Sequence, residues 1–326
     1  MKILLIALPT TLDYLVPLLT DEGHTVQLIT GNEEVTLTDN EGNDYQVAAC
    51  GYLPRGTSAE INYVTGIIGT FEPDVVVNAI TNLFLPSSSD YTYLGNTEAS
   101  AQLETHKWAA RTKAGTLGWL LPTLAQSDIT LSQVVPNSAT TYIKPTDNST
   151  PGTLGTVKIP ANSDMDTEVL PELGPDYNCF VELGVDYAVE AWCFFTMRDG
   201  EYSIIRTLGC TGYGNEKLLS NLGNSWRTGI TLVDLTSDQS TAFLSKCEAW
   251  LDYAKTLGGS YEGTIGGAIT DTNEVYWFEQ NSRPGTENIG MLPGTATNWL
   301  NGLTTDSSLS INQISAGTIR SEKGFG

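Results

Sequence analysis

Residues 277–285 read WFEQNSRPG and place polar side chains at alternate positions. The stretch is predicted to end a β-strand, and alternation along a strand puts Glu279, Asn281 and Arg283 on one face. A carboxylate, an amide oxygen and a guanidinium on one face suit a divalent cation that bridges phosphates, with the arginine beside the phosphoryl oxygens. The alternative is a strand end whose polar side chains satisfy one another.

Two lysines occur where predicted elements meet loops. Lys107 lies on a predicted helix that begins at Thr97, and Lys144 ends a predicted strand at 140–144, directly before a loop rich in Gly, Pro, Ser and Thr. Because cations are scarce in this chain, these lysines and Arg283 are candidates for binding one polyanionic ligand. Two surface lysines whose stems pack on the protein are the alternative.

A short linker separates two further predicted strands. Glu182 ends the first strand and Glu190 opens the second, with Leu183 to Val189 between them. An extended linker offers backbone N–H and C=O groups to the edge of a nucleobase, and a carboxylate suits ribose hydroxyls. The linker is therefore a candidate nucleoside site.

Composition limits the class of partner. The chain has 326 residues, 40% of them hydrophobic, which is enough for two lobes or one composite α/β unit. Its 38 acidic and 16 basic residues give a formal net charge of −22. Duplex nucleic acid and anionic membranes both require dense Lys and Arg to displace counterions, so these extended polyanions are excluded as partners. We expect small-molecule partners instead.

The cysteines and the opening residues bear on the compartment. The five cysteines, at positions 50, 179, 193, 210 and 247, include no C-x-x-C pair. We expect reduced, mostly buried thiols rather than a disulfide framework, which is typical of a cytoplasmic protein. The opening residues MKILLIALP are too short for a membrane span and lack a cleavage site, so they predict a buried first strand.

Apolar runs and turn residues divide the chain into two parts. Residues 1–92 show the strand–helix–strand pattern of a small doubly wound parallel sheet, with a polar hairpin at 35–49 and only two basic residues, Lys2 and Arg55. The rest is predicted to form strands joined by turns, with one further long helix. These elements are predicted at 140–144, 157–159, 179–182, 189–197, 202–208, 244–257 (the helix), 264–270 and 275–279.

In this order the segments resemble an ATP-grasp enzyme, and most closely the phosphoribosylamine–glycine ligase family of purine synthesis. Residues 94–107, LGNTEASAQLETHK, resemble that family's G-P-x-x-x-x-A-x-L-E-x-S-K segment, and residues 142–145, YIKP, resemble its V-K-A-D. Residues 181–191 contain a segment similar to its E-E-F-L…E-E-A hinge. Residues 261–263 and 278–283 are similar to its Y-x-G and E-F-N-x-R strands.

The resemblance spans about residues 72–290 and implies a fold of the α/β plus α+β class. A small Rossmann-like (pre-ATP-grasp) parallel-sheet domain at 1–92 would precede a two-lobed ATP-grasp domain at 93–303 that holds ATP between its lobes. The remaining predicted boundaries are a small flap lobe at about 124–182, a large lobe at about 183–303 and a C-terminal tail at 304–326.

The resemblance also implies how ATP is held. Lys107 and Lys144 would contact the phosphates of ATP. Glu182 and Leu183 would lie at the adenine, and Glu190 at the ribose.

A metal ion and a reacting group follow from the same resemblance. Glu279 and Asn281 would hold Mg²⁺ or Mn²⁺, and Arg283 with Lys144 would be catalytic, stabilising charge on the transferring phosphoryl group. A carboxylate would attack the γ-phosphate to give an acyl phosphate, and an amine would then displace phosphate. The residues expected to meet the substrate are Arg206, Thr211, Gly212 and Arg283.

Departures from that family leave the substrate open. The first turn, at residues 7–11, reads ALPTT where the family has G-G-R-E-H, and residues 284–287 read PGTE in place of G-D-P-E. The segment after residue 290 is too short for the family's C-terminal domain. We expect an ATP-dependent ligase, monomeric or homodimeric, that joins a carboxylate such as glycine to a small-molecule amine. The alternatives are phosphoribosylamine–glycine ligase itself and a nucleotide-binding protein without ligase turnover.

Overall fold

The described residues combine parallel and antiparallel sheets. They form a four-stranded parallel sheet, a four-stranded and a six-stranded antiparallel sheet, and a two-stranded hairpin. This combination confirms the predicted α/β plus α+β class. The structure, a computed structural model, describes residues 1–7, 15–30, 35–38, 44–47, 58–81, 83–86, 88–147, 156–164, 176–198, 200–211, 230–283 and 318–319.

The N-terminal sheet is covered on both faces because its central strand is apolar beyond its first residue. Alternate side chains of β1 enter two clusters, one with Leu19 of α1 and the other with Val64 of α2. The strand order β2-β1-β5-β6 is parallel throughout, as predicted. The elements of this part are β1 (Lys2–Ala7), α1 (Leu15–Asp21), β2 (Thr25–Thr30), the hairpin β3 (Val35–Thr38) and β4 (Asp44–Val47), α2 (Ser58–Phe71), β5 (Val75–Asn78) and β6 (Thr92–Leu94).

The prediction of a single helix from Thr97 is wrong, because two helices occupy this segment. Helix α3 (Glu98–Thr105) begins at a capping box formed by Thr97 and Ser100, and α4 spans Lys107–Thr116. His106 lies between them with φ −97° and ψ 72°, outside the helical region. Its Nε2 lies 3.0 Å from Asp147 Oδ2. Lys107 is therefore the first residue of α4, rather than an interior residue of a longer helix.

A small antiparallel sheet follows, with the strand order β7-β10-β8-β9. Lys144 lies opposite Phe180, and Tyr142 lies opposite Glu182. Cross-strand partners point to the same side of a sheet, so Lys144 and Glu182 are diagonal neighbours on one face. The strands are β7 (Leu124–Thr130), β8 (Thr141–Pro145), β9 (Val157–Ile159) and β10 (Asn178–Leu183).

The largest sheet has the order β15-β14-β11-β12-β13-β16 and packs one face on α5. The odd-numbered residues of β11 lie in the main hydrophobic core with Phe243 and Trp250 of α5, so its even-numbered residues face the other side. Every strand predicted after residue 140 is present. The elements are β11 (Val189–Arg198), β12 (Glu201–Thr211), β13 (Ile230–Val233), α5 (Ser237–Ala254), β14 (Tyr261–Ile269), β15 (Val275–Asn281) and β16 (Thr318–Ile319).

Helix α5 begins at Ser237, earlier than the predicted start at 244. Thr236 and Gln239 form a capping box that fixes this end. The helix continues after Ala254 into a short 3-10 turn that Gly258, with φ 76°, terminates. No helix in the described residues combines the length and apolar content that crossing a membrane requires.

Strand β15 is held against the core by a close approach at Gly267. Gly267 pairs with Trp277, which contacts the Trp119 and Trp250 rings at centroid distances of 5.1 and 4.1 Å. A Cβ atom on Gly267 would lie 2.6 Å from the Tyr276 carbonyl oxygen and 3.1 Å from the Trp119 ring. A Cβ atom on Gly266, by contrast, would have its nearest neighbouring atom 3.9 Å away. A bulge between these two glycines resets the register, so Glu279 pairs with Gly266.

We predict that Gly267→Ala lowers the free energy of unfolding by about 1–3 kcal/mol, because the added methyl group overpacks a backbone contact. Gly266→Ala is the matched control, and it is expected to change this free energy by less than about 1 kcal/mol. Urea unfolding followed by tryptophan fluorescence measures both. Equal effects of the two substitutions would contradict the packing described for β15.

Candidate functional site

Two lysines that are distant in sequence meet at β15. The Nζ atom of Lys107 donates to Glu279 Oε2 at 2.7 Å, and that of Lys144 donates to the Phe278 carbonyl oxygen at 3.2 Å. These lysines come from α4 and from the small sheet, and both side chains are largely buried. Positive charge from two elements is thus concentrated at two adjacent residues of one strand.

Glu182 lies between two cations. Its carboxylate is 2.8 Å from Lys144 Nζ and 2.6 Å from Arg111 Nε, and only 3% of its side chain is exposed. Arg111 also donates to the Pro122 carbonyl oxygen at 2.6 Å. A buried carboxylate is stable only with such partners, so Arg111 and Glu182 together fix the position of Lys144. Arg111 is absent from the residues predicted from sequence, although it lies one helical turn after Lys107.

The linker between Glu182 and Glu190 has several of its backbone groups engaged. The Leu183 N–H donates to the Thr123 carbonyl oxygen at 2.8 Å, and the Gly184 N–H donates to the Thr140 carbonyl oxygen at 2.9 Å. The Glu182 carboxylate is occupied by cations, as described above. These two N–H groups and the Glu182 carboxylate therefore already have partners within the protein, although the linker was predicted to use such groups to bind a nucleobase.

Aromatic and acidic side chains lie at the far end of the linker. The Tyr187 ring meets the Phe278 ring edge-on at 6.1 Å between centroids, and 39% of Tyr187 is exposed. Glu190 is buried and accepts a hydrogen bond from the Trp192 indole at 3.0 Å. Burial and, secondarily, the Glu190 carboxylate raise the pKa of Tyr142, so Glu190 of the large sheet lies near the small sheet. The two sheets thus meet around this linker.

One face of the large sheet carries three of the predicted site residues, Glu279, Asn281 and Arg206. Asn281 pairs with Thr264, Thr264 pairs with Phe194, and Phe194 pairs with Arg206, so these four side chains share a face. Glu279 lies on the same face, two residues before Asn281. Arg206 is three strand spacings from Asn281, about 14 Å, and pairs with Asp234 at 2.9 Å.

Two further predicted substrate residues lie at the edge of what the structure describes. Thr211 ends β12 opposite Thr231. Its side chain, and Gly212 as a whole, lie outside the described residues.

Arg283 follows β15 and is held by Glu104 of α3. The Arg283 Nε donates to Glu104 Oε1 at 2.9 Å. Asn281 Nδ2 lies 3.4 Å from Thr264 Oγ1. Gln280 and Ser282 are fully buried between these partly exposed residues, so the predicted alternation along 279–283 is confirmed. Glu104 is a further residue that the sequence reading did not single out.

The donor set at β15 fits a divalent cation that also has phosphate ligands. Among the described residues no group of three His, Cys, Asp or Glu side chains lies together. Glu279 and Asn281 supply a carboxylate and an amide on one face. Mg²⁺ is commonly bound by one or two carboxylates and completed by substrate phosphates and water, so the residues present suit that mode of binding.

The described thiols are unsuited to nucleophilic catalysis. Cys179, Cys193 and Cys247 are free and buried. Burial raises the pKa of Cys179 to about 11, and burial together with neighbouring Cys193 raises that of Cys247 well above its ordinary value. Both groups are thiols rather than thiolates at neutral pH.

The fold matches solved structures of ATP-dependent ligases, whereas no protein family and no curated protein matches the sequence. N5-carboxyaminoimidazole synthetase from Staphylococcus aureus aligns with a TM-score of 0.59 and 13% identity, over 96% of this chain and 80% of that chain. Carboxyaminoimidazole ribonucleotide synthase from Aspergillus clavatus, complexed with ATP, aligns with a TM-score of 0.60 and 12% identity, over 94% of this chain and 78% of that chain. The chain has the ATP-grasp fold.

A third ATP-grasp structure extends the comparison. The L-amino acid ligase from Bacillus licheniformis aligns with a TM-score of 0.57 and 13% identity, over 88% of this chain and 68% of that chain. Identities this low show a shared fold. None of these three proteins is a phosphoribosylamine–glycine ligase, so the comparisons show the fold and not the specific family that the motifs resemble.

We predict that Arg111→Met lowers the free energy of unfolding by about 1.5–3 kcal/mol, because it removes one of the two cations that pair with the buried Glu182 carboxylate. Lys113→Met on the same helix is the matched control. Lys113 lies 4.2 Å from the centre of the Tyr253 ring, and its loss is expected to cost about 1 kcal/mol or less. Urea unfolding measures both variants, and equal losses would contradict the role assigned to Arg111.

Proposed function

We propose that this ATP-grasp chain binds ATP with Mg²⁺ or Mn²⁺ between its small and large sheets and joins a carboxylate to an amine. The observation that carries the proposal is the meeting of Lys107 and Lys144 at β15, beside Glu279 and Asn281. These residues come from α4, β8 and β15, so each sheet contributes to a single charged cluster. A site assembled in this way binds a ligand that spans both sheets.

The charges of the cluster suit a metal-bound triphosphate. Phosphate oxygens would replace the Glu279 carboxylate on Lys107 and bind Lys144 from the same side. The Glu279 carboxylate and the Asn281 amide oxygen would then hold the cation. Every buried charge keeps a partner of opposite sign in this exchange, which avoids the large cost of an unpaired buried charge.

The nucleoside would lie along the linker that follows β10. Tyr187 and Phe278 offer an aromatic wall to the adenine, and Glu190 offers a carboxylate to the ribose. Because the Leu183 N–H is already bonded to Thr123, we assign Leu183 a contact through its remaining groups. Glu182 acts on the nucleotide through Lys144, which it positions.

The reaction requires charge stabilisation and positioning more than a side-chain nucleophile. A carboxylate oxygen attacks the γ-phosphorus, and the bond from this phosphorus to the β,γ-bridging oxygen breaks to release ADP. The amine then attacks the acyl carbon, phosphate leaves with the carbon–oxygen electron pair, and the amine proton passes to water. Arg283 and Lys144 stabilise the charge on the transferring group. The bound cation would neutralise charge on the phosphate oxygens.

The sequence segments that follow the strands of the N-terminal sheet favour a substrate without phosphate groups. Ligands of open α/β sheets bind outside the carboxyl ends of the strands, where the order reverses, here between β1 and β5. The segments after β1, β2 and β5 read LPTTLDY (8–14), GNEE (31–34) and AITNLFLPSSSDY (79–91), with no Lys, Arg or His. Lys and Arg side chains are common phosphate ligands, and these segments supply none.

An amino acid meets these requirements on both sides of the reaction. It supplies the carboxylate to be activated, and a second one supplies the amine. The structural similarity to an L-amino acid ligase supports this substrate class. The absence of Lys, Arg and His from the same segments disfavours phosphoribosylamine–glycine ligase proper. A nucleotide-binding protein without turnover is the second candidate, and the ion pairs that Lys107 and Lys144 form within the protein would suit it equally.

ADP release tests the proposed function. The purified chain is given ATP, Mg²⁺ and pairs drawn from a panel of amino acids, and ADP is measured by a coupled assay. We expect ADP release that requires both a carboxylate and an amine, with an equal amount of amide product by mass spectrometry. Sugar-phosphate amines are expected to give no ADP. Tight ATP binding without ADP release for any pair would instead support the nucleotide-binding protein.

A pair of Glu→Gln variants links turnover to β15. Glu279→Gln is expected to lower kcat by about 100-fold or more, because it removes the carboxylate assigned to the cation. Glu274→Gln, on the exposed turn that leads into the same strand, is the matched control and is expected to keep the wild-type rate. Wild-type activity of Glu279→Gln would overturn the cation assignment.

A further inference from the structure

The Glu104 carboxylate accepts hydrogen bonds from a residue next to the N-terminal sheet and from residues next to the large sheet. Its Oε1 accepts from Arg283 Nε at 2.9 Å, and its Oε2 accepts from the Ser282 N–H at 2.9 Å and the Thr81 hydroxyl at 3.0 Å. Thr81 follows β5 of the N-terminal sheet, whereas Ser282 and Arg283 follow β15 of the large sheet. The Glu104 side chain is only 11% exposed.

The arginine is oriented by this contact. A guanidinium is planar and rigid, so a partner that holds Nε also fixes the plane in which the two terminal nitrogens lie. The Arg283 side chain is 26% exposed, so part of it reaches the protein surface while its Nε contacts a largely buried carboxylate. Without Glu104, the Arg283 Nε–H would lose this acceptor, and the long side chain would lose the constraint that the contact places on its rotamer.

The backbone of this segment is held separately. The Ser282 carbonyl oxygen accepts from the Asn96 amide, and the Ser282 hydroxyl accepts from the Gln280 amide at 2.6 Å. Gln280 in turn accepts from the Trp250 indole. These bonds fix the main chain at the end of β15 independently of Glu104. Loss of the Glu104 charge should therefore act on the Arg283 side chain more than on the path of the strand.

The bond to Thr81 gives Glu104 a second consequence. Thr81 lies beyond the carboxyl end of β5, at the edge of the N-terminal sheet where the strand order reverses. That edge is where an open α/β sheet binds its ligand. One carboxylate thus connects the Arg283 guanidinium to the edge of the N-terminal sheet at which folds of this kind bind ligands.

We propose that Glu104 is a positioning residue for the reaction: it holds Arg283 in place and ties it to the substrate edge of the N-terminal sheet. This inference rests on the proposed function, because it assigns Arg283 to the transferring group. Glu104 touches neither nucleotide nor substrate in this account. Its effect is therefore on kcat, through Arg283, and not on the affinity for ATP.

A double-mutant cycle tests the proposal. Glu104→Gln keeps an oxygen for Ser282 and Thr81 but loses the charge that holds Arg283, and we expect kcat to fall about 10- to 100-fold with the Kd for Mg·ATP within about 2-fold of wild type. In an Arg283→Ala background the same change should alter kcat by less than about 3-fold. Glu98→Gln, on the exposed first turn of α3, is the matched control and should keep the wild-type kcat.

A second readout does not depend on turnover. The Arg283 Nε–H resonance, assigned through Arg283→Lys, should be protected from hydrogen exchange in the wild type and in Glu98→Gln, and should lose protection in Glu104→Gln. Unchanged protection in Glu104→Gln, or independent effects of the two substitutions on kcat, would overturn the inference. Absence of ADP release from the wild-type chain would instead overturn the proposed function, and the resonance would still decide whether Glu104 holds Arg283.

Discussion

Pairing of buried charges along β15 is the constraint on which the rest of the arrangement depends. Lys107 pairs with Glu279, Lys144 with Glu182, and Arg283 with Glu104. A buried ion without a partner is costly, so each pair fixes two elements relative to each other. The first pair joins α4 to β15, and the third joins α3 to the residue that follows β15. The small sheet is joined to β15 by the bond from Lys144 to the Phe278 carbonyl oxygen, and to α4 by Arg111. In a chain of net charge −22, these few cations are concentrated where a polyanionic ligand would bind.

The packing behind β15 explains why its polar side chains lie on the face opposite the core. Trp277 and Gln280 contact Trp250 and enter the core, so one face of β15 is buried against α5. The bulge beside Phe278 allows both residues to face inwards although they are three positions apart. Glu279 and Asn281 are left on the opposite face, together with Thr264 and Phe194 of the neighbouring strands. The chemistry of the site therefore depends on an apolar contact on the other side of the sheet.

Local pattern was sufficient for some of these features and insufficient for others. The alternation that places Glu279, Asn281 and Arg283 together is a property of one strand, and sequence alone predicts it. Helix α2 was not expected, because its sequence has two glycines and several β-branched residues, and its stability comes from packing on the sheet. The break at His106 was not expected either, since neither proline nor glycine marks it and its partner Asp147 is distant in sequence. Arg111 and Glu104 are not among the predicted site residues because their partners lie on remote segments, although Glu104 matches the E of the L-E-x-S-K segment.

The most direct test is a crystal structure of the chain with Mg²⁺ and a non-hydrolysable ATP analogue. We expect the Nζ atoms of Lys107 and Lys144 each to lie within about 3.2 Å of a phosphate oxygen. We also expect Glu279 and Asn281 to bind the cation through oxygens at about 2.0–2.1 Å. A triphosphate bound away from β15, with Lys107 still paired to Glu279, would contradict the proposed site.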